Sequence, residues 1–346
     1  MLALRAATET RRPSSGLHAL ALCAFALVGA SAKAQQPDRF TTLKIATWNL
    51  EWLIAPTTFK PLKQTCVPKG ASVPADQRRL PCDVAQRLER SSRDFATLAR
   101  YARQLDADVI ALQEVNGAEA ARLVFPEHDF CFSSSRHLQN TGFAIRKTLR
   151  WRCATDVAAL SLEDTVRRGA ELVLFPGEPR ELHLLNVHLK SGCSGKPLDS
   201  GEPACATLAR QVPVLENWID AQAAAFHSFA VLGDFNRQLL AESGPARSAS
   251  GQVQQVWPEI DDGVLGGADL TNVASGQPFL NCVPGQAHSA YIDHILVGRS
   301  LAAAVVAGSF ERVTFSAADA RHARLSDHCP LAVRIDMRQI ANGRSY

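Results

Sequence analysis

Five short segments of this chain place acidic, amide or imidazole side chains at the end of an apolar, strand-like run. They are Thr47–Glu51, Leu112–Val115, Asn186–Lys190, Gly233–Asn236 and Ser326–His328. Side chains at strand ends can converge on one edge of an α/β fold, where carboxylates can bind a cation and imidazoles can move protons. The pattern therefore predicts one polar site of the kind that a metal-assisted hydrolase needs.

The acids of these segments are candidates for a cation site. A carboxylate at the end of a buried strand is costly unless it meets a cation or several hydrogen-bond donors. Mg²⁺ prefers carboxylate oxygens and keeps several waters, so one or two such acids suffice. Alone, Glu114 would more often be the partner of a structural ion pair. Because Glu51, Asp234 and Asp327 lie in equivalent positions, a shared cation site is favoured.

Two histidines are candidates for acid–base chemistry, because imidazole exchanges its proton near neutral pH. His188 and His328 each adjoin an apolar run, where a lone histidine could also be a buried hydrogen-bonded residue. Asp293 is available to orient one of them, as a base and its orienting acid require. His294 would lie on the opposite face of that strand from Asp293. The histidines interpreted as surface residues are His183, His288 and His322.

Two asparagines accompany the acids. Asn49 and Asn236 each lie two residues from a candidate carboxylate, a spacing that puts both side chains on one face of a strand. An amide beside a metal carboxylate can donate to a phosphate oxygen, although asparagine at a strand end is also a common turn former. Lys190 and Arg237 could bind phosphate there or could be solvated cations.

The N-terminus has the pattern of a secretory signal peptide. Arg11 and Arg12 precede the apolar run Leu17–Val28, and Ala32–Ala34 offers a small-residue cleavage site before Gln35. The run has about a dozen residues, too few for the roughly 20 that span a bilayer. A core helix is the alternative interpretation. We expect a cleaved signal peptide and a secreted or periplasmic protein.

Removal of residues 1–34 would leave residues 35–346, a length compatible with one large α/β domain. The removed segment holds four basic residues and one acidic residue, so the remaining 33 of each sign balance and the formal +3 belongs to the signal. This balance gives no global charge argument for nucleic-acid binding. No second apolar span follows, so no transmembrane segment is predicted in residues 35–346.

Eight cysteines remain after residue 34, and an even number in an exported chain indicates disulfides. No C-x-x-C motif supports the alternative of a zinc site. Eight cysteines allow 105 connectivities, so the pairing stays open. The pairs that are economical in sequence are Cys66–Cys82, Cys131–Cys153, Cys193–Cys205 and Cys282–Cys329.

Strand-like runs alternate with two strong helical patterns, as in α/β proteins. Helices are predicted at Asp83–Leu105 and Ala204–Ala225. Residues 54–82 are rich in proline, which argues against a regular helix there, and residues 241–290 are rich in glycine, serine and glutamine. Both segments are predicted as surface loops, either near the site or as inert decoration. The predicted strands are Leu43–Leu50, Ala107–Leu112, Gly142–Ile145, Leu172–Phe175, Leu182–Leu189, Phe229–Leu232, Tyr291–Val297 and Leu331–Met337.

In type and order, these motifs resemble the endonuclease/exonuclease/phosphatase superfamily, which has the deoxyribonuclease-like fold. The resemblance spans residues 44–336. The residues of two segments, His188–Cys193 and Gly233–Arg237, resemble those of exported bacterial members of the family. The motifs are Trp48–Glu51, Leu112–Glu114, Val187–Leu189, Leu232–Asn236, Ile292–His294 and Ser326–His328.

The resemblance implies a four-layered α/β/β/α sandwich of two packed mixed sheets. It also implies hydrolysis of a phosphoester by water with Mg²⁺, Mn²⁺ or Ca²⁺. The implied metal ligands are Asn49, Glu51, Glu114 and Asp327, although many relatives carry Asp where this chain has Glu51. The implied catalytic residues are His188, Asp234, Asn236, Asp293 and His328. Either His328, oriented by Asp293, or Asp234 would activate the water, and His188 would assist the leaving oxygen.

We therefore expect a secreted, metal-dependent phosphodiesterase, most simply an extracellular endonuclease acting on nucleic acid. A phospholipase C of the sphingomyelinase type and a phosphatase are the alternatives within the class. The mid-chain Tyr of the abasic-site repair branch is missing, which argues against DNA repair. A non-catalytic binding module would be expected to lack part of the site, and no site residue is missing.

Overall fold

The structure is a computed structural model, and it describes residues 41–71, 78–265 and 267–342 of the 346. The predicted signal peptide and its cleavage site lie outside these residues. Among the helices formed by these residues, none has the length and apolar character needed to cross a membrane.

Two six-stranded sheets form in the described part of the chain, in the orders β11-β12-β1-β2-β4-β3 and β5-β6-β7-β8-β10-β9. The pairs β1–β2 and β7–β8 are parallel, and the other neighbours are antiparallel. The strands are β1 (Thr42–Leu53), β2 (Val109–Val115), β3 (His128–Phe132), β4 (Asn140–Arg146), β5 (Trp151–Cys153), β6 (Ala170–Leu174), β7 (Leu182–His188), β8 (Ser228–Asp234), β9 (Leu270–Asn272), β10 (Asp293–Gly298), β11 (Glu311–Arg312) and β12 (Leu331–Asp336).

The helices lie outside the two sheets or in the connections between strands. They are α1 (Pro56–Gln64), α2 (Cys82–Arg87), α3 (Ser92–Leu105), α4 (Ala118–Arg122), α5 (Pro203–Ala224), α6 (Trp257–Ile260), α7 (Arg299–Ala302), α8 (Ala317–His322) and α9 (Met337–Asn342). Short 3₁₀ turns occur at Ala158–Ser161 and Leu239–Ala241.

Three apolar clusters define four layers. Ile45 of β1 and Leu184 of β7 belong to the core between the sheets. Leu98 of α3 belongs to a cluster on the outer face of the first sheet, and Leu215 of α5 to one on the outer face of the second. Each central strand therefore buries both faces, which is why it appears in the sequence as a continuous apolar run. The predicted α/β/β/α sandwich is confirmed.

The prediction of a single helix at Asp83–Leu105 is wrong, because α2 and α3 are separate helices with a break at residues 88–91. Ser91 caps α3: its hydroxyl accepts from the Asp94 N–H, and the Asp94 carboxylate accepts from the Ser91 N–H. This capping box satisfies backbone donors that would otherwise be unpaired at a helix start. The break turns Arg90 inward, where its side chain is buried.

The absence of a helix in residues 54–82 is also a wrong prediction, because α1 lies there. It begins at Pro56, where a missing N–H costs nothing, and it continues through Pro61. Phe59 on this helix is buried with Leu80 and Leu88. We attribute the tolerance of Pro61 to this packing. Residues 241–290 are mainly irregular in their described part, interrupted by α6 and β9.

Four disulfides form within the described residues, and each joins cysteines that are neighbours in the sequence order. Their Cα–Cα distances are between 5.0 and 5.8 Å, within the usual range for a disulfide. The bridges are Cys66–Cys82, Cys131–Cys153, Cys193–Cys205 and Cys282–Cys329, the pairs that the sequence spacing favours.

Candidate active site

Three candidate side chains lie in one row across the second sheet. The parallel register of β7 and β8 places His188 opposite Asp234, and the antiparallel register of β8 and β10 places Asp234 opposite Asp293. His188 Nε2 is 3.5 Å from Asp234 Oδ2. The central carboxylate of the row is thus flanked by an imidazole and a second acid.

Gly233 allows β7 and β8 to approach at this point. Its φ is +148°, and a Cβ added there would lie 2.0 Å from the carbonyl oxygen of Val187. Any other residue would push apart the strand ends that carry His188 and Asp234. The glycine before the acid is therefore required by the backbone.

The first sheet contributes two further candidates to the same edge. Asn49 Nδ2 donates to Asp234 Oδ2 at 3.0 Å and lies 3.4 Å from Glu114 Oε1. Glu114 Oε1 is 3.8 Å from His188 Nε2. The strand ends of the two sheets therefore meet, as the sequence pattern predicts.

The backbone is strained at several residues in and beside the site. Glu51, Trp52, Glu114 and Asn236 all have positive φ, between 45° and 59°. The ladders around β2 shift register at the same point, between Asn49 and Leu53 in β1 and between Leu112 and Val115 in β2. Bulges re-aim side chains, and strain of this kind is typical of functional sites. One consequence is that Glu51 and Asn49 do not share a strand face as predicted.

His328 reaches the row from the connection that precedes β12. The Ser326 hydroxyl donates to the Asn49 carbonyl at 2.7 Å and accepts from the His328 N–H at 3.1 Å. The Trp48 indole donates to the His328 carbonyl at 3.2 Å. His328 Nδ1 lies 2.8 Å from Asp293 Oδ2, and its Nε2 lies 3.9 Å from Asp234 Oδ2. Asp293 therefore orients His328, as the sequence predicts.

The pKa values of the three central groups differ in direction. Burial lowers the pKa of His188 well below 6.5, and the charge of Arg167 lowers it further. Burial raises the pKa of Asp234 to about 7, with Asp293 adding to the rise and His328 opposing it. Burial alone would lower the pKa of His328, but Asp293 and Asp234 outweigh it and raise that pKa well above 6.5. The site thus pairs a neutral imidazole with a cationic one around a carboxyl that titrates near neutrality.

Arg167 is a site residue that the sequence analysis does not identify. Its Nη2 is 2.7 Å from His188 Nε2, and its Nε is 3.1 Å from His188 Nδ1. It comes three residues before β6, at the start of a strand, whereas the predicted site residues follow the ends of strand-like runs. Because β6 is antiparallel to β7, its start lies beside the end of β7, and that pairing is the signal that could have found it.

Glu51 and Asp327 lie beside each other on the flank of the site. The Asp327 N–H donates to Glu51 Oε2 at 3.3 Å, and Arg87 Nη1 donates to Glu51 Oε1 at 2.6 Å. Burial and the charge of Asp327 raise the pKa of Glu51, against the opposing effect of Arg87 and Arg90. The local negative charge is therefore only partly balanced by arginines.

These oxygens are donors of the kind that a divalent cation binds. The carboxylates of Glu114, Glu51 and Asp327 are hard oxygen donors, the kind that such ions prefer. The amide oxygen of Asn49 accepts from the Glu51 N–H at 3.0 Å, so this residue presents its NH₂ group to Glu114 and Asp234. Asp234, Asp293 and His328 also have ligand atoms within 4.8 Å of one another.

The two predicted phosphate-binding cations lie in different environments. Lys190 is partly exposed and its Nζ donates to the Ser191 carbonyl. Arg237 is buried, with its guanidinium paired at 2.5 Å with Glu242 and donating to the carbonyl of Cys193. Its contacts are those of a structural ion pair. Asn236 Nδ2 donates to the Leu189 carbonyl, while the Asn236 N–H donates to Asp234 Oδ1 at 2.7 Å.

A network of buried amide side chains joins the two sheets next to the site. The sequence patterns do not predict it. Gln113 Nε2 donates to Asn186 Oδ1 at 2.7 Å, joining β2 to β7 across the two sheets. Asn186 Nδ2 donates to the carbonyls of Leu112 and Gly142. Buried polar groups that are fully bonded in this way hold neighbouring strands in one register. Gln113 and Asn186 both lie within the sequence motifs, but nothing in the local sequence distinguishes them from uncharged residues that merely separate the charged ones.

The model of the Endonuclease/Exonuclease/phosphatase family matches residues 46–328 of the chain. The match covers well over half of the sequence and includes the site residues of both sheets. The chain therefore belongs to the Endonuclease/Exonuclease/phosphatase family. It is an enzyme of the metal-dependent phosphoester hydrolase class, as the resemblance implies.

Solved structures with this fold share little sequence with the chain. Humanized D. rerio TDP2 is 16% identical with a TM-score of 0.50, and the alignment covers 85% of this chain and 98% of that one. The 3'-5' exonuclease NExo from Neisseria meningitidis is 16% identical (TM-score 0.48; 85% and 100% covered). The human Nocturnin catalytic domain is 14% identical (TM-score 0.47; 85% and 94% covered). No curated protein matches the chain.

Proposed function

We propose that the chain is an exported, metal-dependent phosphodiesterase that cleaves nucleic acid internally. The observation that supports this most is the convergence of His188, Asp234, Asp293 and His328 at one sheet edge beside Glu114. Two imidazoles stand on either side of one carboxyl that titrates near pH 7. In-line displacement at phosphorus needs a proton acceptor for water and a proton donor for the leaving oxygen, and this set can supply both.

In the proposed reaction Asp234 accepts the proton of the attacking water. Its raised pKa makes it a better acceptor near neutral pH than an ordinary carboxylate. His328 keeps its proton because of Asp293 and donates to a phosphate or leaving oxygen. His188, which stays neutral, and Arg167 beside it hold the phosphate oxygens.

Glu114 is the proposed principal metal ligand, with Glu51 and Asp327 on its flank and Asn49 beside it. A divalent ion held there would neutralise phosphate charge and polarise the phosphoryl oxygen. Lys190 is the proposed additional phosphate contact, and Asn236 positions Asp234 through its backbone N–H.

The exposed apolar residues weigh against a substrate held in a lipid surface. Among the described residues the large exposed hydrophobics are Leu123, Phe226, Leu240, Val264, Leu265, Leu280 and Val306. The aromatic one, Phe226, lies just before β8, at the opposite end of that strand from Asp234. An enzyme working at a lipid surface would be expected to carry exposed aromatic residues at the mouth of the site.

The test uses purified protein with supercoiled plasmid, linear duplex, single-stranded RNA and sphingomyelin vesicles. Each is assayed with Mg²⁺, Mn²⁺ or Ca²⁺, and again with EDTA. We expect nicking of supercoiled plasmid with a metal and none with EDTA, with His188→Ala as the inactive control. Release of mononucleotides from linear ends without plasmid nicking would contradict internal cleavage. Turnover of sphingomyelin alone would show that the substrate is a lipid and not a nucleic acid.

Export is the second part of the proposal, and the four disulfides support it, because such bridges persist in oxidising compartments. The full chain, expressed in a bacterium with a functional export pathway, is expected in the periplasm or medium with Gln35 as its first residue. Intact mass and N-terminal sequencing check this. Full-length protein retained in the cytoplasm would contradict export.

A further inference from the structure

A second cluster of ligand-type side chains lies at the opposite end of β7 from the candidate active site. His183, the second residue of β7, is buried on the sheet face that α5 covers, and its exposed fraction is 6%. Glu181 precedes β7 and His227 precedes β8. One ligand atom from each of the three lies within 4.8 Å of the others. Five residues of strand, about 16 Å, separate His183 from His188.

Each imidazole of this cluster has an acceptor near its Nδ1 atom. Gln222 Oε1 is 2.8 Å from His227 Nδ1. Glu171 Oε1 is 3.6 Å from His183 Nδ1, which makes no hydrogen bond to any described residue. Glu171 is itself held by the Trp218 indole, which donates to its Oε2 at 3.3 Å.

A histidine that binds a metal through one ring nitrogen usually donates the other N–H to a carboxylate or carbonyl. Glu171 and Gln222 occupy that outer position for His183 and His227. Both rings would then take an ion through Nε2, and Nε2 of His183 already lies 2.9 Å from Glu181 Oε1. A cation at this point would replace the proton that His183 and Glu181 share.

We propose that Glu181, His183 and His227 form a binding site for Zn²⁺. Two imidazole nitrogens and one carboxylate oxygen suit Zn²⁺, with water as a fourth ligand. The same set suits Mg²⁺ and Ca²⁺ poorly, because these ions prefer oxygen donors. The ion would tie the start of β7 to the connection between α5 and β8. The site is independent of the proposed hydrolysis.

Binding requires one change in the arrangement of the rings. The His183 and His227 rings are stacked 3.9 Å apart at an interplanar angle of 7°. Lone pairs lie in the ring plane, so near-parallel rings cannot both point at one ion. His183 is held by β7, whereas His227 follows Phe226 in a short connection and is the ring that turns. The competing explanation is a hydrogen-bonded histidine pair that needs no ion.

Zinc content decides between the two. Wild-type protein and variants are stripped with EDTA, dialysed against a low concentration of Zn²⁺ at pH 7.5, and analysed for metal and protein. We expect His227→Ala and Glu181→Gln each to hold one zinc per chain fewer than wild type. The control, His322→Ala, removes an exposed histidine from α8 and should match wild type. Zinc bound at the active site is common to all four proteins and cancels in the comparison.

A second measurement covers the case of a poorly folded variant. Zn²⁺ should raise the thermal unfolding midpoint of wild type and His322→Ala more than that of His227→Ala, because an ion that binds only the folded state stabilises it. Plasmid nicking by His227→Ala should equal that of wild type, so failure of this site is distinguishable from failure of the proposed function. Equal zinc content in wild type, His227→Ala and Glu181→Gln would overturn the proposal.

Discussion

At the scale of single residues, burial and neighbouring charges together give the two histidines of the active site different protonation states. His188 is buried and His328 is half-buried, and their pKa values move in opposite directions. Arg167 lies 2.7 Å from His188 and Asp293 lies 2.8 Å from His328, while Asp234 lies between the two imidazoles. The same residue type is therefore kept neutral at one position and charged at the other, as a site with separate donor and phosphate-binding roles requires.

Replacement of either histidine tests these roles. We expect His328→Ala to lower kcat by about 10²–10⁴-fold, the usual contribution of a positioned acid. His188→Ala should lower kcat by about 10²–10³-fold, because it removes a contact to the phosphate oxygens on which charge develops. The control is His322→Ala, which removes an exposed imidazole. Steady-state kinetics with circular dichroism to verify folding makes the comparison. Near-wild-type kcat for either variant from pH 6 to 9 would make that histidine a structural residue.

Substitutions at Arg237 and Lys190 distinguish a cation that stabilises the fold from one that is available to bind phosphate. Arg237→Met leaves the Glu242 carboxylate buried without its partner, which we expect to lower the free energy of unfolding by about 3–5 kcal/mol. Lys190→Met should change it by no more than about 0.5 kcal/mol, because that side chain is partly exposed. Urea denaturation measures both. The double change Arg237→Met with Glu242→Gln should recover part of the loss, and an unchanged stability of Arg237→Met would contradict the structural role.

The catalytic side chains of the site could be predicted from residue types more completely than the residues that hold them in position. Asp293 and His328 carry their roles in their side chains, and the structure brings them to 2.8 Å. Gln113 and Arg167 carry no signal in their local sequence, because their roles come from strand pairings: Gln113 bonds across the two sheets, and Arg167 is identified only once β6 is paired with β7. His183 was predicted at the surface and is buried, since a single histidine in a strand does not reveal which face α5 covers.

At the scale of elements, the Cys282–Cys329 bridge joins the long 241–290 segment to the connection that carries His328. Arg312 lies against both sulfurs, 3.1 Å from Cys329 Sγ and 3.2 Å from Cys282 Sγ, and stacks on the Tyr291 ring two residues before Asp293. The bridge and the guanidinium therefore clamp the two segments that hold the Asp293–His328 pair.

Removal of the bridge should affect activity before it unfolds the protein. With a sequence separation of 47 between the cysteines, the loss of stability is about 4 kcal/mol in the chain-entropy model. We expect Cys282→Ala with Cys329→Ala to lower kcat while the fold persists. The matched control, Cys131→Ala with Cys153→Ala, should lose about 3 kcal/mol without losing kcat. Equal kcat in the two double variants would contradict the clamp. Thiol counting on denatured wild type should find both Cys282 and Cys329 oxidised.

Element prediction succeeded where burial on both faces produces a continuous apolar run, as in β7 and β8. It failed where a short strand pairs at a sheet edge, as in β3 and β5, whose composition is mixed. It also failed at the end of α2, because the Ser91 cap lies inside an apolar periodicity that continues across the break. Caps and edge pairings depend on a few contacts and leave a weak pattern in the sequence.

At the scale of the whole molecule, one group outside the site sets a pH dependence of stability. Burial, followed by the charges of Asp220 and nearby acids, raises the pKa of Glu216 on α5 to about 8. The folded state therefore binds a proton between pH 4.5 and about 8 that the unfolded state releases. The free energy of unfolding contributed by this group falls as pH rises through that window.

Glu216→Gln removes this titration. We expect the variant to be more stable than wild type at pH 8.5 and to differ little from it at pH 4, where the wild-type carboxyl is largely protonated in both states. Urea denaturation at the two pH values measures the difference. Glu127→Gln neutralises an exposed acid in the connection between α4 and β3 and serves as the control. An equal effect of Glu216→Gln at both pH values would contradict the assignment.

We infer that one metal-dependent hydrolytic site forms where the two sheets meet. Its most direct test is hydrolysis of bis-(p-nitrophenyl) phosphate by wild type and Glu114→Ala across a range of Mg²⁺ or Mn²⁺ concentrations. The wild-type rate should vanish with EDTA and return with metal, while Glu114→Ala should need more metal and reach a kcat lower by about 10²-fold or more. A wild-type rate unaffected by EDTA, or a Glu114→Ala variant with wild-type kcat and metal dependence, would mean that hydrolysis does not depend on a metal held by Glu114.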